Sequence, residues 1–236
     1  MSVARIRCPR LPRHTTRGYS TTTDTVRDDL RNLLRHTAQP VAVVTSLMPE
    51  GSTSNSPLSK FHGATLSSFS SIAMDPHPLV AFSLRVPSRM ATSLKNAHDH
   101  WPSHMVVNIL SAAQVDIAVK FSRVDLHPHP FSEVPYFLTK EGLPVLEHSL
   151  GALSCKLVAS SWPLHDLAAL SEGSSKQEAV WDGEGVASEL FIARVTRVEP
   201  ILERSKDDIS RTLPLLYHHR AYSTTGDIPK SNARKQ

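Results

Sequence analysis

HGATLSSFSSIAMDPHPLVAFSLRVPSRMATSL, residues His62 to Leu94, is the stretch of this 236-residue chain whose reading decides the fold. Leu79, Val80, Ala81, Phe82, Ser83 and Leu84 form a short, mostly apolar run behind two prolines, the pattern of a buried strand. The chain then turns at Val86-Pro87, and Ser88 stands where a helix N-cap belongs, so the spacing predicts a helix over Ser88 to Ala97. Free backbone N–H groups at a helix start hold phosphate, and Arg85 and Arg89 flank that point as charge-assisted donors. Ordinary helix capping with two solvated arginines accounts for the same residues.

In the first half of the stretch Thr65, Ser67, Ser68, Ser70 and Ser71 surround Phe69. Serine is a poor strand former, so this many hydroxyls beside a core strand need a reason. One reason is a polar edge strand or turn. Another is a ligand such as a flavin, whose pyrimidine edge needs hydrogen-bonding partners while the rest of the ring takes an apolar or aromatic wall.

The order of residues resembles the flavin-reductase-like proteins of the FMN-binding split-barrel superfamily, in their fungal form. The pieces that carry the resemblance are PVAVVTS from Pro40, HGATLSSFSSIAMDPHPLVAFSLR from His62, PSRMATSL from Pro87, VVNILS from Val106, GLPVLEHSLGALSCKL from Gly142, LFIARV from Leu190 and PLLYHHRAY from Pro214. Together they span nearly everything from Asp24 to Tyr222. The resemblance implies a mainly β chain: an FMN-binding split β-barrel with a few flanking helices, occupying residues 24–222. It further implies FMN, or alternatively FAD, bound at the interface of a homodimer, and hydride transfer from NADH or NADPH to the flavin. Mapped onto this chain, Thr65, Ser67, Ser68, Phe69 and Ser71 would line the ring and ribityl chain, and Arg85, Ser88 and Arg89 would hold the phosphate. Many such reductases carry Gly-Asp-His just before the strand matching LFIARV; here the residues are Ala187-Ser188-Glu189. That departure leaves the catalytic residues unknown and supports a second reading, a flavin-binding carrier or interaction module without turnover. A third reading is the electron-supplying half of a monooxygenase pair.

The formal net charge of +4 has a local origin. Arg5, Arg7, Arg10, Arg13 and Arg17 all precede the first acid, Asp24, and without them 21 basic residues face 22 acidic ones. No block of Lys and Arg interleaved with aromatics follows, which argues against a nucleic-acid partner. Residues 1–23, rich in arginine, serine and threonine and free of acids, have the composition of a mitochondrial presequence, and Arg17-Gly18-Tyr19-Ser20 resembles a cleavage pattern of such signals. Pro9 and Pro12 interrupt the amphipathic helix that presequences usually form. The matrix is therefore the expected location, with no membrane partner, because no run of about 20 apolar residues occurs. Cys8 lies in this leader, and Cys155 alternates with Leu153 and Leu157 as a small core residue does.

Val26, Leu30, Leu33 and Leu34 fall at helical spacing after Thr25-x-x-Asp28, which predicts an opening helix packed on the barrel. Val41 to Thr45 reads as a first strand and 48–60 as a polar hairpin loop. Further strands are expected at Met105 to Leu110, Leu150 to Val158 and Leu190 to Val195. Ser111-x-x-Gln114 is a capping box ahead of a helix carrying Val115, Ala118, Val119 and Phe121. Prolines 128, 130 and 135 make Ser122 to Pro135 an extended loop, and 223–236 reads as a disordered tail. The thirteen histidines lack the carboxylate or cysteine complement of a zinc or facial-triad site, so no metal is expected. The Gly-x-Ser-x-Gly elbow, the P-loop and the dinucleotide fingerprint are all absent.

Overall fold

The apolar residues Val26, Leu30, Leu33 and Leu34 do share one face of a helix, α1 (Thr22–Leu34), which begins three residues before the expected start. The computed structural model describes residues 22–48, 60–97, 99–159, 161–172, 187–201 and 208–226. The described residues up to Thr37 belong to a unit of their own. The four apolar side chains of α1 are exposed, Val26 by 66% and Leu33 by 63%. Helical periodicity sets which residues share a face; it does not supply a partner for that face.

From Ala38 onward the chain forms the second unit. After β1 (Gln39–Pro40) and β2 (Ala42–Leu47) come β3 (Phe61–Leu66), β4 (Ser70–Ala73), β5 (Leu79–Val86), α2 (Arg89–Lys95) and β6 (Met105–Ile109). A 3₁₀ turn (Ala112–Gln114) leads into α3 (Val115–Ser122), followed by β7 (Tyr136–Leu138), β8 (Pro144–Leu146), β9 (Gly151–Leu157), β10 (Trp162–Pro163), α4 (Leu167–Glu172) and β11 (Ala187–Glu199). The hairpin β12 (Leu216–His218) and β13 (Ala221–Ser223) closes the sequence of elements. An eight-stranded antiparallel sheet runs in the order β3-β2-β6-β9-β11-β5-β4, with β10 beside β11. This is the split β-barrel with few helices that the resemblance implied.

Val41 to Val44, running into β2, are apolar without alternation because both faces of the strand are buried. Ala42 and Val44 face a core built with Phe82, Met90, Leu94, Met105 and Phe191, whereas Val41 and Val43 face a second core with Leu110, Phe121, Phe131 and Leu146. Phe82 and Phe191 are cross-strand partners whose rings stack at 5.6 Å, an offset pair at the heart of the first core. Asn108, fully buried on β6, is saturated: its amide donates to Val43 O and Thr45 Oγ1 and its carbonyl accepts from Leu146 N.

The curl of the sheet is fastened by a side chain. Just past β3, Ser68 Oγ accepts from Ser83 N at 2.9 Å and donates to Ser83 O at 3.1 Å, so one hydroxyl replaces a ladder partner between the β3 end and β5. The capping box forms as expected, with Ser111 N donating to Gln114 Oε1 at 2.9 Å. The proline-rich loop is less irregular than expected, because Pro130–Ser132 makes a 3₁₀ turn that starts on a proline, where the missing N–H costs nothing. α2 ends at Lys95 rather than Ala97, and β11 runs from Ala187 to Glu199, well beyond the expected 190–195. Residues 49–59 of the polar hairpin loop, 1–21 of the leader and 227–236 of the tail lie outside the described residues, whereas Thr22 and Thr23 open α1 and Ser223, read as the start of the tail, ends β13.

Candidate functional site

A cleft of about 850 Å³ opens where β3, β5, the start of α2, the end of α3 and the β12–β13 hairpin meet. Thr65, Ser67, Ser68, Arg85, Ser88 and Arg89 all line it. Six of the eight residues singled out from the sequence therefore converge on one cavity. The other two do not reach it: Phe69 packs against the first core, and Ser71 sits on the exposed edge strand β4, paired with Val80. The serine run thus divides into a cleft-lining half and a polar edge strand, the simpler explanation holding for Ser70 and Ser71.

Ser88 is the N-cap of α2, its Oγ accepting from Ala91 N at 3.1 Å. That bond uses an oxygen lone pair and leaves the hydroxyl proton to donate. Among the described residues neither Arg85 nor Arg89 forms an ion pair, and both are exposed, so two guanidinium groups line one cleft without a carboxylate on either. Thr65 Oγ1 donates to Ala118 O at 2.7 Å and Ser68 Oγ to Ser83 O, which leaves both hydroxyls as acceptors toward the cleft. Ser67 and Ser188 are free among the described residues to donate or accept.

Sequence reasoning missed His62, Tyr217, Tyr222 and the apolar wall of Val41, Met90 and Phe121, all of which line the cleft. Strand alternation could have found His62, two residues from Ala64 and four from Leu66 on one face of β3. Burial, followed by the nearby positive charge of Arg89, holds the His62 imidazole down to about 4, so it is neutral at pH 7. Burial raises the Tyr222 phenol. Asp125, also lining the cleft, is kept a carboxylate by a bidentate hydrogen bond from Arg123 at 3.0 and 2.9 Å.

The residues standing in place of Gly-Asp-His separate in the structure. Ser188 lies opposite Arg85 across the β5–β11 ladder and lines the cleft. Glu189 is only 4% exposed; its carboxylate accepts from Lys95 Nζ at 3.0 Å and Ser161 Oγ at 2.7 Å. Its charge is thus spent on joining α2 and the segment before β10 to β11.

The family profile described as "Flavin reductase like domain" matches residues 34–226. The chain belongs to the flavin-reductase-like domain family. Among curated relatives, it is 30% identical over 130 residues to "FMN reductase (NADH) SmoA" of Agrobacterium fabrum, an alignment covering 55% of this chain and 64% of that one. It is 31% identical over 122 residues to a flavin reductase of Pseudomonas putida, covering 50% and 59%. The chain thus spans less than two thirds of the length of these relatives. Among solved structures, nitrilotriacetate monooxygenase component B from Mycobacterium thermoresistibile superposes with a TM-score of 0.60 at 20% identity, over 91% of this chain and 94% of that one. The NADH:FAD oxidoreductase SgcE6 of Streptomyces globisporus, crystallised with NAD and FAD fragments, gives 0.58 at 20% identity over 88% and 96%. At these identities the likeness is one of fold, and it agrees with the split barrel of this flavin-reductase-like chain.

Among its described residues no cluster of three His, Cys, Asp or Glu side chains could hold a metal ion, and no helix is long and apolar enough to cross a membrane.

Proposed function

We propose that this chain binds FMN in the cleft and passes hydride to it from NADH or NADPH. The observation that carries the reading is the convergence on one cavity with an apolar wall of two arginines that form no ion pair among the described residues, an N-cap serine and a row of hydroxyls. The chemistry of the residues fits the group: Arg85, Ser88 and Arg89 would hold the phosphate, Thr65 and Ser68 would accept from ring or ribityl donors, and Ser67 and Ser188 would donate. The hydride chemistry belongs to the flavin when bound; the protein holds the two rings in contact and sets how much water reaches them. Because Glu189 is bonded to Lys95 and Ser161, it does not present a charge to an anionic dinucleotide, so the departure from Gly-Asp-His does not by itself oppose turnover.

The test uses the phosphate as a handle. Losing a charge-assisted phosphate contact costs about 1.5–3 kcal/mol, roughly ten- to a hundredfold in affinity. Arg89→Ala should therefore weaken FMN far more than riboflavin in a fluorescence titration, and the wild type should bleach bound flavin on adding NADH or NADPH without oxygen. Equal weakening of both ligands would remove the phosphate assignment. Bound flavin that no nicotinamide bleaches would leave the carrier reading in its place.

The further expectations extend the same proposal. A homodimer is checked by sedimentation, and a monooxygenase partner, in line with the naming of one structural relative, by coupled oxidation with FMN recycling. Residues 1–23 are proposed as a mitochondrial leader; mass spectrometry of protein from its own cells should find a start between about Gly18 and Asp24.

A further inference from the structure

We propose that His62, which lines the same cleft as Arg85, Ser88 and Arg89, is a further residue that binds the phosphate of a phosphate monoester there. The inference rests on the FMN reading above and deepens it, by making the preference for the phosphorylated ligand proton-linked.

His62 lines the cleft together with Arg85, Ser88 and Arg89. It stands on β3 opposite Ser46 of β2, whose hydroxyl is already given to His104 O at 2.9 Å. The charged and titratable groups lining the cleft with it are Arg89 of α2, Arg85 of β5, Asp125 beyond α3, Tyr217 of β12 and Tyr222 of β13. Asp125 is occupied by Arg123, and Lys95, further along α2, is occupied by Glu189. His62 is therefore left with arginine as its charged neighbour. A third permanent cation here would repel the other two in the absence of an anion. A histidine escapes that repulsion by losing its proton, and its value of about 4 against the ordinary 6.5 records both burial and Arg89 at work.

A phosphate dianion between the arginines reverses the balance. It neutralises the charge that suppresses protonation and offers the imidazolium an acceptor, so His62 takes a proton from solvent as the ligand binds. A flavin without a phosphate brings no such charge. Binding of FMN, and not of riboflavin, should thus draw on His62 increasingly as the pH falls.

The experiment compares wild type with His62→Gln, which keeps a hydrogen-bonding side chain and cannot carry charge. Dissociation constants for FMN and for riboflavin are measured from pH 7 to pH 5. The ligand's own phosphate titration is common to both proteins and cancels in the ratio of variant to wild type. If bound FMN returns His62 to about 6.5, that ratio rises about threefold by pH 6 and about twentyfold by pH 5 relative to pH 7. For riboflavin it stays flat. A flat FMN ratio, with FMN affinity still dependent on Arg89, overturns the role of His62 and leaves the FMN reading standing. FMN and riboflavin binding alike, indifferent to Arg89→Ala, overturns both. Should His62→Gln fail to fold, the ring proton of His62 in the wild type decides by nuclear magnetic resonance: its midpoint must rise by about two and a half pH units on adding FMN, and an unmoved midpoint refutes the proposal.

Discussion

Gly63 lies next to His62 on β3, and its lack of a side chain is what lets Phe121 sit under the cleft. A Cβ built on Gly63 would lie 2.5 Å from both Cδ1 and Cε1 of the Phe121 ring. Carbon atoms in contact rest about 3.5–4.0 Å apart, so the ring would have to withdraw by roughly 1 Å. Its aromatic neighbours resist that shift. Phe121 is 2% exposed and meets Phe131 edge-on at 5.0 Å, and Phe131 is held in turn by Phe61 at 5.6 Å and Tyr136 at 5.4 Å. Overpacking of this kind costs about 1–3 kcal/mol, against which the reduced freedom of the unfolded alanine chain returns only about 0.4–1. Gly63→Ala should therefore lower stability by about 1–2 kcal/mol, a drop in Tm of roughly 3–6 °C for a domain of this size. The assay is urea and thermal unfolding followed by tryptophan fluorescence, run as a double-mutant cycle with Phe121→Leu. With the ring removed, Gly63→Ala should become neutral or slightly stabilising, giving an interaction energy of at least about 1 kcal/mol. Wild-type stability in the single variant, or the same cost in both backgrounds, would refute the overlap argument.

Removing the carboxylate charge in Glu189→Gln should cost about 1–3 kcal/mol, because the amide loses the charge-assisted bond to Lys95. The nicotinamide KM should hardly change; a large fall in KM would return Glu189 to the cleft. Glu141 is held down to about 2, from an ordinary 4.5, chiefly by the hydrogen bond from Arg197, which also binds Glu199. Its contribution is full above the ordinary value and fades as pH falls toward 2, so the stability gap between wild type and Arg197→Met should narrow over that window in acid titrations. Burial pushes the Cys155 thiol up to about 12, so in a Cys8→Ser chain a thiol reagent should label Cys155 only after unfolding, and rapid native labelling would contradict its place in the core.

Much of the fold was legible because local chemistry dictated it. The run from Leu79 to Leu84, the N-cap at Ser88, the capping box at Ser111 and Gln114, and the core position of Cys155 each follow from spacing and residue type, and each stands in the structure. Val41 to Val44 are apolar throughout, which marks them as buried, but only the tertiary structure reveals that β2 divides two cores. The phosphate candidates were local too, since Arg85, Ser88 and Arg89 lie within five residues.

What the sequence could not convey is which neighbours the curl of the sheet brings together. Ser67 and Ser71 are alike as residues in a serine run, yet the strand break between β3 and β4 puts one on the cleft and the other on an open edge. Ser188 and Glu189 are adjacent in the chain, and the register of β11 against β5 sends Ser188 to the cleft and commits Glu189 to Lys95. His62 became a candidate only once the fold brought β3 and the start of α2 onto one cleft. Periodicity fixed the helical face of α1 as well, but burial needs a partner surface, and that depends on long-range packing which no local pattern encodes.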